Sequence, residues 1–499
     1  MVSPDATPRP IDHVLLGAPH APALIDREGV VDYAAAEDAV ARLAGWLAGF
    51  GFAPGARVAT WLPKTRVACW MPLAAARAGL VHVPVNPVLR RAQVAHILAD
   101  SGAALLLTQA ARAATLEAGD VPDGCRVVTE AGAGNPLPRS DADPDTLVAL
   151  LYTSGSTGLP KGVMLSHANL WLGAVGVAHY LAIAPDDRVL AVLPFGFDYG
   201  QNQLLSTWAA GACVAPLDYL TPRDVVKAVA RVGATTLAGV PPLWTQLLES
   251  DWPDDVAGRL RRLTNSGGAL TPTMVRALRV RFPAARLFPM YGLTEAFRST
   301  YLDPDLVDAH PESIGRAVPF AEVLVVRRDG SLAAAGEPGE LVHAGPLVAQ
   351  GYWRDPERTA LRFRPAPAGS HYGGIAVWSG DTVLADGDGL LRFVGRDDEM
   401  IKSAGHRISP QEVEEAATAG AETAEAVAVG VPDARSGQAV VLVARGDPAA
   451  EAALRERLRR ELPAYMQPVR IEWRAALPRN ANGKLDRAAI AAAVKEVGA

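Results

Sequence analysis

Residues 152–163 read Tyr-Thr-Ser-Gly-Ser-Thr-Gly-Leu-Pro-Lys-Gly-Val, and no other stretch says as much about the fold. The run from Thr153 to Gly158 contains only hydroxyl residues and glycines. Glycines let the backbone turn its N–H groups toward one point, and the hydroxyls add donors. Lys161 adds a nearby positive charge, so the loop is suited to hold a polyphosphate. We predict that it does so through Thr153, Ser154, Gly155, Ser156, Thr157, Gly158 and Lys161.

The spacing of this loop differs from that of a Walker A loop, which needs Gly-x4-Gly-Lys followed by Ser or Thr. Here Gly162 follows Lys161, so the sequence indicates a nucleotide site of another lineage. A flexible Gly/Ser linker is the alternative. It is the weaker one, because the loop lies between an apolar run, Leu147–Tyr152, and a helical pattern that begins near Ser166.

Composition narrows the class of protein. The chain has 499 residues, of which 49% are hydrophobic and 20% charged, as is ordinary for a globular protein of two or more domains. Its net charge of −6, without a basic tail, argues against a nucleic-acid partner. No signal pattern and no apolar run long enough to span a membrane occur, so we expect a cytoplasmic protein. Cys69, Cys125 and Cys213 lack disulfide or metal spacing and are expected to be buried thiols.

Short apolar runs alternate with amphipathic stretches over much of the chain. Helices are predicted after Thr221-Pro222 and Thr271-Pro272, where a capping Thr precedes a Pro in the first turn. Strand–helix alternation predicts parallel sheets covered by helices. The predicted strands are Arg188–Phe195, Ala212–Leu217, Ala234–Val240 and Ala285–Met290, and earlier helical patterns cover Ala34–Phe50 and Ala68–Gly79.

The pattern changes twice toward the C-terminus. Short strands with Gly and Asp turns predict a β-rich subdomain at about 320–394, and four charged residues near 396–399 suggest a boundary. We therefore expect an α/β fold. A large N-terminal domain, residues 1–396, would contain parallel-type sheets with helices and the β-rich subdomain, followed by a small mobile α+β domain, residues 397–499. In that domain the sequence predicts strands at Ala426–Val431 and Ala439–Ala444 and a helix that carries Leu454, Leu458 and Leu462.

Further motifs contain polar residues suited to nucleotide chemistry. Glu295 ends Tyr291-Gly292-Leu293-Thr294-Glu295 after a predicted strand, where a carboxylate could serve as a Mg²⁺ ligand. Asp381, in Ser379-Gly380-Asp381, could accept both hydroxyls of a ribose. Taken alone, each is also an ordinary turn. Two longer segments are more specific, Gly395–Arg407 and Leu477–Arg487, and the second presents Lys484 just before a terminal helix.

These segments, in this order, resemble the AMP-forming adenylating superfamily, which includes acyl-CoA synthetases, firefly luciferase and the adenylation domains of nonribosomal peptide synthetases. The resemblance covers nearly the whole chain. It implies a two-step reaction. A carboxylate attacks the α-phosphate of Mg·ATP to give an acyl-adenylate and pyrophosphate, and the thiol of CoA or of a phosphopantetheine then attacks the adenylate and releases AMP.

The resemblance also implies roles for individual residues. The loop Thr153–Gly158 and Lys161 would hold the β- and γ-phosphates, Thr294 would contact the α-phosphate, and Glu295 would hold Mg²⁺. Lys484 would stabilise the negative charge that develops during transfer. The remaining nucleotide contacts would come from Gly268, Tyr291, Asp381 and Arg396.

In the family the C-terminal domain rotates between the two steps. By this resemblance Asp398 is the hinge residue. The segment that contains Lys402, Gly405 and Arg407 would face the active site during thioester formation, while Lys484 leaves it. Gly405 would let the pantetheine arm pass close to the backbone.

The segment predicted to line the acid pocket differs from that of many acyl-CoA synthetases. Those enzymes carry a His-containing segment at this place, and this chain does not. Phe197-Asp198 resembles the Phe-Asp pair of amino-acid-activating domains, whose Asp pairs with the substrate ammonium. Gly200 replaces the Ser that those domains require. Equally, Asp198 could cap a helix that begins at Tyr199 or pair with a protein cation. The other predicted walls are Val240, Trp244, Gly267 and Gly268, although Trp244 could simply be core.

The sequence leads to one main function and two alternatives. The main hypothesis is an ATP- and Mg²⁺-dependent carboxylic-acid ligase that uses CoA. The first alternative is a stand-alone amino-acid-activating enzyme that loads the phosphopantetheine of a separate carrier protein. The second is a catalytically silent nucleotide-binding homologue, which is disfavoured because Lys161, Glu295, Asp381 and Lys484 are all retained. Small carboxylates or amino acids are the expected substrates.

Overall fold

The computed structural model describes residues 5–153, 159–268, 270, 272–396, 401–403, 405–408, 410–420, 422–478 and 487–496. Several predicted functional residues lie outside these ranges, namely Ser154, Gly155, Ser156, Thr157, Gly158, Asp398 and Lys484.

The described strands form three sheets. In chain order they are β1 (Pro22–Ile25), β2 (Val30–Asp32), β3 (Arg57–Trp61), β4 (Val81–Pro84), β5 (Ala103–Thr108), β6 (Arg126–Val128), β7 (Leu147–Thr153), β8 (Lys161–Ser166), β9 (Arg188–Ala191), β10 (Cys213–Pro216), β11 (Thr236–Gly239), β12 (Arg262–Asn265), β13 (Arg286–Tyr291), β14 (Thr300–Tyr301), β15 (Ser313–Ala317), β16 (Glu322–Val326), β17 (Pro338–Ala344), β18 (Phe363–Pro365), β19 (Ile375–Ala385), β20 (Leu391–Arg396), β21 (Ile401–Ser403), β22 (His406–Ile408), β23 (Thr423–Asp433), β24 (Gly437–Gly446) and β25 (Arg470–Trp473).

The helices connect these strands and cover the sheets. They are α1 (Tyr33–Ala48), α2 (Arg66–Arg77), α3 (Arg91–Ser101), α4 (Ala110–Ala113), α5 (His167–Tyr180), α6 (Asp198–Ala209), α7 (Pro222–Val232), α8 (Pro241–Leu248), α9 (Asp254–Ala257), α10 (Pro272–Arg281), α11 (Pro356–Arg362), α12 (Pro410–Thr418), α13 (Glu451–Glu461) and α14 (Arg487–Glu496). Short 3₁₀ turns occur at Ile11–His13, Thr294–Ala296, Pro448–Ala450 and Ala464–Met466.

The first sheet has six strands in the order β6-β5-β3-β4-β7-β8. Its pairs are parallel except for the antiparallel hairpin of β7 and β8. In that hairpin Thr153 and Lys161 are register partners. The two ends of the predicted phosphate loop therefore meet at one end of a rigid strand pair.

The second sheet has fourteen strands along the order β16-β17-β19-β20-β15-β14-β13-β12-β11-β9-β10-β1-β2, with β18 paired to β19. Its centre, from β10 to β13, is parallel, whereas the strands from β14 to β20 pair antiparallel. Parallel strands point their carboxyl ends to one edge, which is where ligands bind in open α/β sheets. The loops after β9, β12 and β13 meet at that edge.

The third sheet belongs to the C-terminal part of the chain. Its order is β22-β21-β24-β23, and β25 pairs with β24. Leu454 and Leu458 of α13 pack with Val413 of α12 and Leu442 of β24 in a separate buried cluster. Leu462 is also buried but lies just past the end of α13. This small domain therefore has a hydrophobic core of its own.

Local sequence explains where several helices begin and end. The Ser166 hydroxyl accepts a hydrogen bond from the Asn169 N–H, and the Asn169 side chain accepts one from the Ser166 N–H, which is a capping box at the start of α5. Thr221 and Pro222 start α7 as predicted. Gly233 ends it with φ +64°, a left-handed conformation that glycine adopts without strain.

The predicted fold class is confirmed, with a large N-terminal sheet domain and a smaller C-terminal domain. The predicted strands are present. Three of them, β9, β10 and β11, are shorter than predicted, β13 begins and ends one residue later, and β23 and β24 are longer. β9 ends at Ala191 rather than Phe195, because the Leu193 N–H binds the side chain of Gln203 and Pro194 has no N–H. The strand β8 had no sequence prediction. The boundary at 396–397 stays a prediction, since residues 397–400 lie outside the described ranges.

A short connecting segment, residues 349–353, joins the first two sheets. Tyr352 forms a β-bridge with Val163, and the Gly351 carbonyl accepts the Met164 N–H at 2.9 Å. On the other side the Ala349 N–H donates to the Glu295 carbonyl at 2.9 Å. The segment therefore fixes β8 of the six-stranded sheet relative to the loop that follows β13.

The three cysteines differ in burial. Cys69 and Cys213 are buried as expected, whereas Cys125 is only half-buried. Among the described residues no helix combines the length and apolarity needed to cross a membrane.

Burial of His343 on β17 makes stability depend on pH. The side chain is fully buried, its Nδ1 lies 2.9 Å from the Ser299 hydroxyl, and burial lowers the pKa of His343 to about 3. The folded state keeps the His343 ring neutral, whereas the unfolded chain binds a proton at this residue below about pH 6.5. The free energy of unfolding therefore falls as the pH falls from about 6.5 toward 3. Between pH 7 and pH 5 the free energy of unfolding falls by about 2 kcal/mol through this residue.

We therefore expect the variant His343→Asn to lose less unfolding free energy than the wild type between pH 7 and 5 in urea titrations. The control His20→Asn changes a side chain that is 92% exposed and should keep the wild-type slope. An unchanged pH slope in His343→Asn would show that this residue does not cause the effect.

Candidate active site

Most of the predicted functional residues that the structure describes meet in a cavity of about 290 Å³ between the large sheet and the C-terminal domain. It lies at the carboxyl ends of the parallel strands, where the loops after β9, β12 and β13 converge. The C-terminal domain contributes one wall. Its lining residues there include Lys402, Gly405, His406 and Glu412.

Glu295, which lines the cavity, belongs to a hydrogen-bonded cluster with Lys161 and Tyr352, which lie behind the cavity wall. The Lys161 ammonium donates to the Tyr352 hydroxyl at 2.7 Å and lies 3.4 Å from Glu295 Oε1. The Tyr352 hydroxyl donates to the same carboxylate at 2.6 Å. Burial and the Glu295 charge raise the pKa of Tyr352, so the phenol stays protonated and keeps donating. The cluster thus holds a cation and a carboxylate beside the ends of the phosphate loop.

A second carboxylate in the cavity wall is that of Asp381, which the sequence predicts to bind ribose. The Tyr291 hydroxyl donates to Asp381 Oδ2 at 2.5 Å, and both residues line the cavity. Asp381 on β19 is the register partner of Arg396 on β20. The sheet therefore brings three predicted nucleotide residues to one place, and a buried Asp381 in this setting can accept hydrogen bonds from hydroxyl groups.

A single carboxylate beside a hydroxyl suits a cation that takes most of its ligands from phosphates. Glu295 and Thr294 are adjacent and both line the cavity. Among the described residues there is no group of three or more His, Cys, Asp or Glu side chains that could hold a metal by themselves. Mg²⁺ in nucleotide sites takes few protein carboxylates, so this donor set fits Mg²⁺ delivered with ATP.

Asp198 lies in the wall of the cavity, at the start of α6. Phe197 occupies the cap position and α6 begins at Asp198, so the capping role considered from the sequence does not occur. The Thr294 hydroxyl donates to Asp198 Oδ1 at 3.3 Å. Burial raises the pKa of Asp198, and the nearby positive charge of Arg298 opposes this. Arg298 is therefore the protein cation next to Asp198.

Arg298 is itself a buried charge, with 2% of its surface exposed. Its Nη1 donates to the Ser266 hydroxyl at 3.1 Å, and its guanidinium lies 4.7 Å from the centre of the Tyr199 ring. Such stacking suits a planar cation. Within the described residues it forms no ion pair closer than 4 Å, so the buried Asp198 and Arg298 attract each other without touching.

Two glycines border the cavity where the domains approach each other. Gly267 has φ +79° and Gly405 has φ +77°, values that favour glycine. A Cβ at Gly405 would lie 2.6 Å from Val240 Cβ, and one at Gly267 would lie 3.2 Å from the Gly405 carbonyl oxygen. Side chains at either position would therefore push the two domains apart or narrow the space between them.

The domains also share a buried polar contact. Gln93 of α3 donates through Nε2 to Glu412 Oε1 of α12, and both residues line the cavity. Nearby, His406 stacks on Tyr465 with ring centres 3.7 Å apart, and burial lowers the pKa of His406 to about 4. The Gln93–Glu412 hydrogen bond links the C-terminal wall of the cavity to the N-terminal domain.

Most predicted site residues that the structure describes line this cavity. They are Thr153, Phe197, Asp198, Gly267, Gly268, Tyr291, Thr294, Glu295, Asp381, Lys402 and Gly405. Val240 lies behind Gly267. Trp244 is fully buried and packs on Gly239, so it lies in the core and not in the cavity wall. Arg407 lies on β22, and its side chain, like that of Arg396, is outside the description.

Tyr352, Arg298 and Gln93 were not predicted from the sequence, and His406 was predicted only as part of the segment 402–407 that would face the active site. Arg298 follows Glu295 by three residues, so a buried cation beside the Tyr291–Glu295 motif could have been suspected. Tyr352 and Gln93 stand in no motif. Their partners are 191 and 319 residues away in the chain, which local patterns cannot reveal.

Comparisons with known proteins agree with this geometry. Residues 11–353 match the family model described as AMP-binding enzyme, and residues 412–484 match that of its C-terminal domain. The chain is 31% identical to an L-proline–[L-prolyl-carrier protein] ligase from Pseudomonas fluorescens, over 97% of this chain and 98% of that protein. It is 34% identical to a feruloyl-CoA synthase from Amycolatopsis, over 94% and 95%. The solved amide bond synthetase McbA from Marinactinospora thermotolerans is 28% identical, with TM-score 0.86 over 98% of this chain and 100% of that one.

Removal of the Tyr352 hydroxyl tests the Lys161–Tyr352–Glu295 cluster. Tyr352→Phe should lower ATP–pyrophosphate exchange roughly 10- to 100-fold, because hydrogen bonds to both charged partners disappear while the ring remains. Tyr372→Phe is the matched control, since Tyr372 is exposed. Exchange at the wild-type rate in Tyr352→Phe would exclude a role for the cluster in adenylation.

Loss of the contact between the domains should affect the two half-reactions differently. Gln93→Ala removes the hydrogen bond to Glu412, and we expect thioester formation to fall roughly tenfold, with a smaller change in adenylate formation trapped with hydroxylamine. Gln109→Ala, at an exposed position, serves as control. Equal loss in both half-reactions would contradict a specific role in this domain arrangement.

Proposed function

The chain belongs to the AMP-binding enzyme family of AMP-forming ligases, and from this membership we propose that it joins a small carboxylic acid to the thiol of CoA. ATP would be converted to AMP and pyrophosphate in the process. The proposal depends on one observation above all. A single cavity is lined by Glu295, which belongs to the Lys161–Tyr352–Glu295 cluster, and has the backbone of Gly405 against Gly267 in its other wall.

The first half-reaction would use the part of the cavity that Glu295 lines. Lys161 and the loop that starts at Thr153 would bind the β- and γ-phosphates, and Thr294 would contact the α-phosphate. Mg²⁺, bound to Glu295 and phosphate oxygens, would neutralise charge on the leaving pyrophosphate. Asp381, fixed by Tyr291, would accept the ribose hydroxyls.

Catalysis of this step would depend chiefly on positioning and charge. The substrate carboxylate attacks the α-phosphate, the bond from that phosphorus to the bridging oxygen breaks, and pyrophosphate leaves with the electron pair. We propose that Lys484 stabilises the charge shared by the two reacting groups.

The second half-reaction would use the wall that the C-terminal domain contributes. The acceptor thiol attacks the acyl carbon of the adenylate, and AMP leaves. Because Gly405 and Gly267 carry no side chains, the two backbones approach closely beside Lys402, and a slender pantetheine arm would pass along this wall. Rotation about Asp398 would exchange this arrangement with the one that places Lys484 in the site.

CoA is the acceptor that we propose first. Asp198 already has Thr294 as a hydrogen-bond donor and Arg298 as a neighbouring cation, so its charge does not require a substrate ammonium. The similarity to a feruloyl-CoA synthase supports this choice.

A second candidate is an amino-acid-activating enzyme that loads a carrier protein. Asp198 faces the cavity in an environment that raises its pKa, and a bound ammonium would stabilise its charged form. The missing Ser at Gly200 has a local explanation, because a Cβ there would overlap the Pro194 carbonyl oxygen. The similarity to an L-proline–carrier-protein ligase supports this candidate.

The test is pyrophosphate release from Mg·ATP over a panel of fatty, aryl and amino acids, each with and without CoA. We expect release with plain carboxylates and formation of a CoA thioester. Release with one amino acid that does not respond to CoA would favour the carrier-protein alternative. No release with any acid, together with intact ATP binding, would favour a silent homologue.

Lys484→Ala is the matched variant for this assay. It should lower adenylate formation by roughly two orders of magnitude, because it removes charge stabilisation in the transfer step, and leave ATP binding largely intact. Equilibrium binding of ATP supplies the control. Unchanged pyrophosphate release in this variant would show that the role proposed for Lys484 is wrong.

A further inference from the structure

The helix α3 supports the cavity from the side of the six-stranded sheet. Its side chains Val94, Ile97 and Leu98 are buried in one cluster with residues of β3, β4, β5 and β7. Gln93 and Ile97 of the same helix also line the cavity. A helix that is packed against a sheet in this way is a rigid support for whatever its other side chains hold.

One side of α3 carries polar side chains. Gln93, His96 and Asp100 follow one another by three and four residues, a spacing that places them on the same side of a helix. Gln93 binds Glu412 of the C-terminal domain. His96 and Asp100 are half-buried and do not line the cavity themselves, so any effect they have on the site must act through their partners.

His96 binds the downstream end of the predicted phosphate loop. Its Nε2–H donates to the Pro160 carbonyl at 2.8 Å, and Pro160 directly precedes Lys161. Pro160 also lines the cavity. His96 therefore fixes the backbone from which the Lys161 side chain starts.

Asp100 binds the upstream end of the same loop. The Tyr152 hydroxyl donates to Asp100 Oδ2 at 2.5 Å, and Tyr152 directly precedes Thr153. Burial and the hydrogen bond to Asp100 raise the pKa of Tyr152, so the phenol stays protonated and keeps donating. Tyr152 lines the cavity, and its side chain connects the cavity wall to α3.

A further contact ties Asp100 to the strand that follows the loop. The Trp353 indole N–H donates to the Asp100 carbonyl at 3.0 Å, and the Trp353 backbone N–H donates to the Gly162 carbonyl at 2.8 Å. Residues on both sides of the phosphate loop are therefore bound, directly or through Trp353, to the turn of α3 that runs from His96 to Asp100.

We propose that His96 and Asp100 are positioning residues that hold the two ends of the phosphate loop in the geometry that binds the β- and γ-phosphates of ATP. This inference rests on the nucleotide-binding role within the proposed function, and it adds two residues that lie outside the loop's own sequence. A loop whose ends are fixed loses less conformational freedom when it closes on phosphate groups, so it binds them more tightly.

The experiment measures equilibrium binding of Mg·ATP and of AMP to the full chain by calorimetry, with two pairs of variants. His96→Met and His96→Gln have side chains of nearly the same length, but only Gln keeps an N–H donor. Asp100→Leu and Asp100→Asn have nearly the same shape, but only Asn keeps an oxygen acceptor. Asp251→Asn, at an exposed position, should bind both nucleotides as the wild type does.

The two nucleotides should respond differently. We expect His96→Met and Asp100→Leu to raise the Kd for ATP roughly three- to tenfold, the usual effect of one lost hydrogen bond. The Kd for AMP should change less than about twofold, because AMP lacks the phosphates that the loop would bind. His96→Gln and Asp100→Asn should stay within about twofold of the wild type for both nucleotides, since each keeps the required polar atom.

Both nucleotides are titrated into the same preparation, so the ratio of the two Kd values does not depend on the folded fraction. Equal weakening of ATP and AMP binding would show a general disturbance of the fold and would overturn this inference. Unchanged ATP binding in both His96→Met and Asp100→Leu would also overturn it, while leaving the ligase function intact. If the wild type itself does not bind Mg·ATP, the proposed function fails and this inference with it.

Discussion

The relative position of the two N-terminal sheets depends on the hydrogen bonds of Tyr352. Its hydroxyl links Lys161 of the six-stranded sheet to Glu295 beyond β13 of the large sheet, and its backbone pairs with Val163. The connecting segment, residues 349–353, adds main-chain bonds to both sides. The relative position of the two sheets, and with it the distance between the cation and the carboxylate, is therefore set by one short stretch of irregular backbone.

The cavity wall around Asp198 differs in its electrostatics. Here Asp198 and Arg298 are both buried and attract each other without contact, and polar side chains surround them. Buried charges of opposite sign interact strongly where water is excluded. A buried charge that loses its polar partners costs free energy. The wall around Asp198 is thus polar although it is buried, whereas the Lys161–Tyr352–Glu295 cluster combines a cation and a carboxylate in direct hydrogen-bond contact with one hydroxyl.

The sequence predicted the fold class, the parallel centre of the large sheet and eleven of the residues that line the cavity. These follow from local patterns, such as the loop after Tyr152, the motif that ends at Glu295 and the glycines near 267. The sequence could not predict β8, because its six residues follow directly on the loop. Nor could it reveal Tyr352, Arg298 or Gln93 as site residues, since each acts through tertiary contacts between elements far apart in the chain.

The separation between Lys161 and Tyr352 has a consequence for how the molecule is made. Their contact closes a loop of 191 residues that contains the parallel centre of the large sheet. Contacts across such distances form slowly, because the entropy of ordering the intervening chain is lost before they are gained. The six-stranded sheet and the large sheet can each begin to assemble earlier from nearer neighbours. We therefore expect the contact between Lys161 and Tyr352 to form late, and a chain arrested before that point would have native-like sheets but would lack the Lys161–Tyr352–Glu295 cluster.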